Sequence, residues 1–184
     1  KINDFDIDDD NNLFLVSSET NSIYKKDIKK TSCPEKINLL DKNEEKPYPI
    51  NNPLIIELGD DNSINIIDGS NFFTKFIKSD KNYRYNNRIG GTGKNKSNFN
   101  SPKAISYLDN NFFITDSGNH RIIITSKIGA HDKNLPYKLD PEDGSGWGAR
   151  DDHFNNPVDI DINKNGYLYI ADQGNQKIKQ FKPK

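Results

Sequence analysis

Apolar residues fall in short runs separated by Asn, Asp, Gly and Ser, as at 158–162, 167–171 and 177–181. No stretch of ten or more residues keeps a 3.6-residue period, so the pattern predicts strands. Asn165-Gly166 stands between the first two runs, a pair that tolerates the positive φ of a tight hairpin. Gln173-Gly174-Asn175 stands between the next two, and Asp109-Asn110-Asn111 and Ser117-Gly118-Asn119 hold the same places upstream.

The pattern repeats. Phe99 and Pro102 recur 55 residues on as Phe154 and Pro157, and Asp116 and Asn119 recur 56 residues on as Asp172 and Asn175. Weaker copies at 2–24 and 53–76 place Ser18 and Asp68 opposite Asp116, and Asn21 and Asn71 opposite Asn119. The spacings of 50, 48 and 56 residues give four copies that span nearly the whole chain. Short strands in such units predict an all-β fold, a β-propeller of four-stranded antiparallel blades; a solenoid of stacked hairpins is the structural alternative. The blade limits fall near 1–46, 47–92, 93–140 and 141–184.

Asp116-Ser117-Gly118-Asn119-His120-Arg121-Ile122 and Asp172-Gln173-Gly174-Asn175-Gln176-Lys177-Ile178 resemble the NHL repeat. So do the Gly-rich runs 90–93 and 144–148, each followed by Phe-x-x-Pro. The first two copies lack that element and the basic pair. The resemblance implies that the run after each Pro is the innermost strand, the run ending in Asp is second, and the Arg-Ile or Lys-Ile run is third. Outer strands are then expected within 36–40, 83–89 and 135–139, and the last blade has no outer strand of its own. Propellers of this kind usually have six blades. An unpaired third strand leaves an open edge, so a segment of a longer ring is favoured over a closed four-bladed one.

Composition narrows the function classes. The 184 residues carry 26 basic and 27 acidic side chains, net −1, which argues against a generally basic nucleic-acid binder. Only 32% of residues are hydrophobic, yet ten Phe and eight Tyr argue for a packed core. There is no 20-residue apolar run and no signal-peptide pattern at the start, and the compartment stays unknown. Methionine is absent even at position 1, which fits a processed product or a fragment. Ile outnumbers Val 23 to 2, and Asn reaches 26, a bias that makes the Asn pairs loop filler. The lone Cys33 excludes an intrachain disulfide and reads as an inert thiol.

Candidate chemistry is sparse. Asp161-Ile162-Asn163-Lys164-Asn165-Gly166, with Asp172 at the twelfth position, fits a weak calcium candidate built from Asp161, Asn163, Asn165 and Asp172. The flanking strands and the hairpin role of Asn-Gly speak against it, and no cofactor is expected. The resemblance admits metal-dependent lyases and lactonases built around a central calcium, but a zinc site there needs histidines from several blades. His120 takes the place of a structural His, and His131 and His153 lie in one connection, 129–156. Asp116 and Asp172 are expected to bond backbone at the turns, with Arg121 and Lys177 as their cations.

Two surfaces remain. Lys75, Lys78, Lys81, Arg84 and Arg88 interleave with Tyr83 and Tyr85 in the basic stretch 75–103, a pattern suited to phosphate contact and base stacking. The long connection carries Tyr137, Trp147, Arg150 and His153, and Lys94 and Lys96 lie on the preceding Gly-rich loop. Trp, Tyr and Arg are frequent interface anchors. The favoured function is a non-catalytic scaffold for a protein partner, or for further blades of the same protein. An RNA-binding propeller and a metal-dependent enzyme completed by missing blades are the alternatives.

Overall fold

The computed structural model describes residues 1–95, 97–127, 130–131 and 153–182. The chain divides into two compact units, Lys1–Ile89 and Gly90–Lys184. Strands and turns dominate both. Among the described residues no helix is long and apolar enough to cross a membrane.

The first unit holds two sheets. β1 (Asp4–Ile7), β2 (Asn12–Ser17), β3 (Ser22–Asp27) and β4 (Glu35–Lys36) lie side by side in chain order, all antiparallel. The second sheet is formed by β5 (Leu39–Leu40), β6 (Pro53–Leu58), β7 (Ile64–Asp68), β8 (Phe72–Ser79) and β9 (Asn82–Gly90). Its order is β6-β7-β8-β9-β5, with β5 parallel to β9. The expected outer strand at 36–40 therefore splits: Lys36 ends the first sheet, and Leu39 and Leu40 cross to the edge of the next. Leu39 and Leu40 are buried there, which gives the crossing its driving force. Phe14, Val16, Ile23, Ile56, Ile64, Ile66, Phe76 and Tyr83 fill the core of this unit.

In the second unit β10 (Pro102–Leu108), β11 (Asn111–Asp116), β12 (Arg121–Lys127) and β13 (Ala130–His131) form one antiparallel sheet in chain order. The start of the connection 129–156 is thus a strand. The expected outer strand at 135–139 lies outside the described residues. β14 (Pro157–Ile162), β15 (Leu168–Asp172) and β16 (Lys177–Phe181) form a three-stranded sheet. Phe113, Ile122, Phe154, Ile160, Leu168 and Ile170 share the core of this unit.

Three edge strands, β6, β10 and β14, begin alike. Each opens on Pro paired with the Asp that ends the second strand, and each shifts register directly afterwards. Pro brings no N–H to the ladder, and the preceding Asn52, Ser101 and Asn156 turn the chain with φ near +50°. The hairpins differ in detail. Asp109 and Asn110 both take positive φ, as a two-residue turn requires. At Asn165-Gly166 only Gly166 does (φ 77°), and Asn163 Oδ1 instead accepts the N–H groups of Asn165 and Tyr167, both at 3.0 Å.

The first copy is offset by one residue from the expected alignment. Ser17 pairs with Ser22 as Asp116 pairs with Arg121, so Ser17, not Ser18, holds the Asp position. Asn21 (φ 48°) then corresponds to His120 (φ 56°).

Candidate functional site

The Asp-centred turns organise the loop face of the second unit. Asp116 and Asp172 are both 0% exposed. One oxygen of each accepts a backbone N–H from the incoming chain: Asn100 to Asp116 at 2.6 Å, Asn155 to Asp172 at 2.8 Å. The other oxygen accepts from Asn119 Nδ2 at 2.8 Å and from Asn175 Nδ2 at 2.7 Å. Carboxylates this deep need a cation or several donors, and the chain supplies the cation differently each time. Arg121 Nε reaches Asp116 at 2.7 Å, and Lys179 Nζ reaches Asp172 at 2.9 Å. In the first unit, Arg88 of β9 pairs with Asp68 at 2.8 Å. The expected partner Lys177 is exposed instead. Lys179, two residues further along β16, is buried beside the Phe154 ring and donates to the carbonyl of His153.

The glycine of each turn has a packing reason. A Cβ on Gly118 would lie 2.6 Å from Asn100 Cγ, and one on Gly174 would lie 2.4 Å from Asn155 Cγ. The incoming backbone passes directly over the turn, and the glycine N–H groups donate to the carbonyls of Asn100 and Asn155.

Arg121 also fixes the Gly-rich loop. Its terminal nitrogens donate to the carbonyls of Lys94 (3.3 Å), Asn95 (2.8 Å) and Asn98 (2.8 Å). Asn119 adds a bond to the Gly93 carbonyl at 2.8 Å. Lys94 is thereby held on a braced backbone with its side chain exposed. His153 lies half-buried on the equivalent incoming loop. Lys96, Tyr137, Trp147 and Arg150 lie outside the described residues.

His120 is a structural acceptor. Its Nδ1 accepts the Asn156 N–H at 3.0 Å, tying one turn to the residue before β14. Asn21 Oδ1 does the same for the Asn52 N–H at 2.7 Å in the first unit. An acceptor at Nδ1 carries no proton, so the proton of neutral His120 sits on Nε2.

The basic stretch of the first unit is largely partnered. Lys75 pairs with Asp61, Arg84 with Glu45, and Arg88 with Asp68. Burial favours the proton on Asp61, but hydrogen bonds from Lys75 and Ser63 outweigh it and hold the carboxyl below its usual range. Tyr83 is buried against Phe14, and burial raises its phenol to about 12. Tyr85 stacks on Tyr48 at 4.9 Å. Lys78 and Lys81 are exposed.

The calcium candidates are not brought together. Asn163 and Asn165 sit at the hairpin before β15, and Asp172 ends that strand roughly 13 Å away at ~3.3 Å per residue. No group of three His, Cys, Asp or Glu side chains is placed to hold a metal among the described residues.

Sequence reasoning did not find the cavities of the first unit, which flank residues 47–50. One of about 440 Å³ is lined by Asn21, Ile23, Lys36, Ile37 and Leu39. Another of about 250 Å³ is lined by Tyr48, Asp68, Thr74, Phe76 and Arg88. Tyr48 stands in both walls, and its position follows from packing on Phe76 and Tyr85, which local sequence does not reveal.

No family model and no curated protein matches the chain. Solved structures do. Virginiamycin B lyase from Staphylococcus aureus matches 99% of this chain and 55% of its own, at TM-score 0.58 and 18% identity. BamB from Moraxella catarrhalis matches 98% of this chain and 44% of its own, at TM-score 0.55 and 10% identity. YCF48 bound to D1 peptide matches 98% of this chain and 50% of its own, at TM-score 0.50 and 14% identity. These are β-propeller proteins. The fold is that of a β-propeller. At such identities the likeness concerns the fold alone, and the chain spans about half the length of the propellers it matches.

Proposed function

We propose that the chain is part of an NHL-type β-propeller that serves as a non-catalytic scaffold for a protein partner within a larger protein or complex. Its sheets act as blades, the last completed from elsewhere, in a ring larger than four. The half-length match to whole propellers supports that reading. The partner face is built from the incoming loops and Asp-centred turns, with Lys94, Lys96, Tyr137, Trp147, Arg150 and His153 as its contact residues.

One observation carries the proposal. The turn residues best suited to chemistry are occupied in structural bonds: Asp116, Asp172, Arg121, Lys179 and the Nδ1 of His120. Among them Arg121 braces the loop that holds Lys94 out to solvent. Rigidly presented exposed side chains suit recognition, because less conformational entropy is lost on binding. YCF48, solved with a bound peptide, has the same fold.

The test is charge reversal. Lys94→Glu with Arg150→Glu should leave the unfolding temperature unchanged and abolish cross-linking to a defined partner in the source cells. An unaffected partner would refute the face. A second reading, a metal-dependent enzyme with ligands beyond this chain, draws on the likeness to virginiamycin B lyase. Stoichiometric zinc or calcium in the intact protein would select it.

A further inference from the structure

The cavity of about 250 Å³ beside residues 48–51 lies wholly within the first unit. It forms where the second copy departs from the two later ones. Ile50 stands three residues before Pro53, the place that Phe99 and Phe154 hold before Pro102 and Pro157. Those two rings are 0% exposed, whereas the smaller Ile50 is half-buried and lines the cavity. The turn after β7 is also shorter: three residues separate Asp68 from β8, against four between Asp116 and β12. Asp68 Oδ1 takes its N–H groups locally, from Ser70 at 2.9 Å and Phe72 at 3.1 Å, rather than from the incoming chain.

The cation of this turn is less committed than its counterpart. Arg121 spends its guanidinium on Asp116 and three loop carbonyls. Arg88 reaches Asp68 through one terminal nitrogen, at 2.8 Å, and its Cζ lies 3.7 Å from the centre of the Phe72 ring. Among the described residues no backbone carbonyl takes its remaining side-chain N–H groups, and the Tyr48 hydroxyl lies beside them. Tyr48 is fixed by its stack on Tyr85 and by an edge contact with Phe76 at 5.2 Å. Burial raises its phenol despite the nearby Arg88, so the hydroxyl keeps its proton and can donate.

A third polar group faces the same space. Thr74 lies opposite Ile66, on the face of the sheet that also carries Ile64 and Phe76 into the core. It is 5% exposed and lines the cavity. Its hydroxyl has no hydrogen-bond partner among the described residues. A hydroxyl buried in that way is unfavourable unless something else satisfies it.

The lining therefore offers donors in excess: the guanidinium and the hydroxyls of Tyr48 and Thr74. Acceptors are scarce, because both oxygens of Asp68 are taken, and Asn51 and Ser70 border the cavity at exposed positions. Ile66 and Phe76, 1% and 0% exposed, supply an apolar floor. A group that only accepts fits such a set, and a carboxylate is one. The planar fork of an arginine can serve a second carboxylate beside the first. Phosphate fits less well, since it brings more charge to the buried Asp68 and nothing for the floor. The volume is below the ~300–1,000 Å³ of sites for drug-sized ligands. We infer that this cavity binds a small monocarboxylic acid, its carboxylate on Arg88, Tyr48 and Thr74 and its short apolar stem on Ile66 and Phe76.

Titration of the chain with acetate, butanoate and benzoate, followed by amide NMR, tests it. At least one acid should bind saturably at millimolar concentration or below, shifting the signals of Tyr48, Thr74 and Arg88. The amide of that acid, and inorganic phosphate, should bind more weakly by roughly tenfold or more. Arg88→Lys keeps a cation for Asp68 but loses the fork, and should weaken the acid by roughly tenfold or more. Thr74→Val should weaken it by a similar factor while the unfolding temperature holds or rises, because no protein partner is lost. A purely structural Thr74 would show the reverse. Saturable binding by none of the three acids, equal binding of the amide or of phosphate, or an acid site indifferent to both variants overturns the inference. Such a failure leaves the Lys94 test untouched, because the two sites share no residue.

Discussion

Replacing Lys179 by Met removes the cation from Asp172 and leaves the carboxylate fully buried. Breaking a buried ion pair from one side costs about 3–5 kcal/mol. Asp172 keeps the Asn155 N–H and the Asn175 amide, at 2.8 and 2.7 Å, so the low end of about 3 kcal/mol applies. The Met side chain can still lie against Phe154, which limits any cavity term. For a domain of this size that loss lowers the unfolding midpoint by roughly 6–12 °C. Lys177→Met, at an exposed position directly opposite Asp172, should change stability by no more than about 0.5 kcal/mol. Adding Asp172→Asn to Lys179→Met should recover part of the loss, because the unpaired charge is gone. Urea titration of the four proteins provides the readout. Equal costs at 177 and 179, or a neutral Lys179→Met, would refute the assignment of the partner.

Gly174→Ala sets a Cβ 2.5 Å from the Asn155 carbonyl oxygen and should cost about 2–4 kcal/mol in thermal unfolding, without any positive-φ strain. His120→Ala leaves the Asn156 N–H without its acceptor and should cost about 1–2 kcal/mol; His120→Asn should restore most of it, since Asn21 performs the same task at similar φ. Burial raises the Tyr83 phenol to about 12 in the folded chain, against about 10 when unfolded, so the folded state favours the neutral form. That contribution, about 3 kcal/mol, is complete well below pH 10 and is lost as pH rises towards 12. Ultraviolet titration should show a late tyrosine that Tyr83→Phe removes.

Much of the fold is legible in the sequence because each strand is short, apolar and bounded by turn residues with a defined backbone task. Pro102, Pro157, Asp116 and Asp172 mark the same places in two copies, and the structure pairs them as the repeat implies. The first copy has neither Pro nor Asp at those points, so nothing local fixes its register, and the alignment slips by one at Ser17. The split of 36–40 was hidden for a related reason: Leu39 and Leu40 choose their sheet by burial against β9, a long-range contact. Cation partners are legible only in part: Arg121 is found on Asp116 as expected, whereas Lys179 takes the place expected of Lys177. Arg88, Arg121 and Lys179 reach equivalent carboxylates from different strand positions, because any long basic side chain that can reach the carboxylate serves. Lys94 was legible as an exposed loop residue, but the Arg121 clasp beneath it was not.

Lysine acylation footprinting of the native assembly, compared with the purified chain, tests the scaffold reading most directly. Lys94, Lys78 and Lys81 are all exposed, so all three should react in the isolated chain. The account predicts that Lys94 becomes protected in the assembly, with Lys78 and Lys81 unchanged. Protection of Lys78 and Lys81 with Lys94 still reactive would contradict it and move the binding surface to the basic stretch.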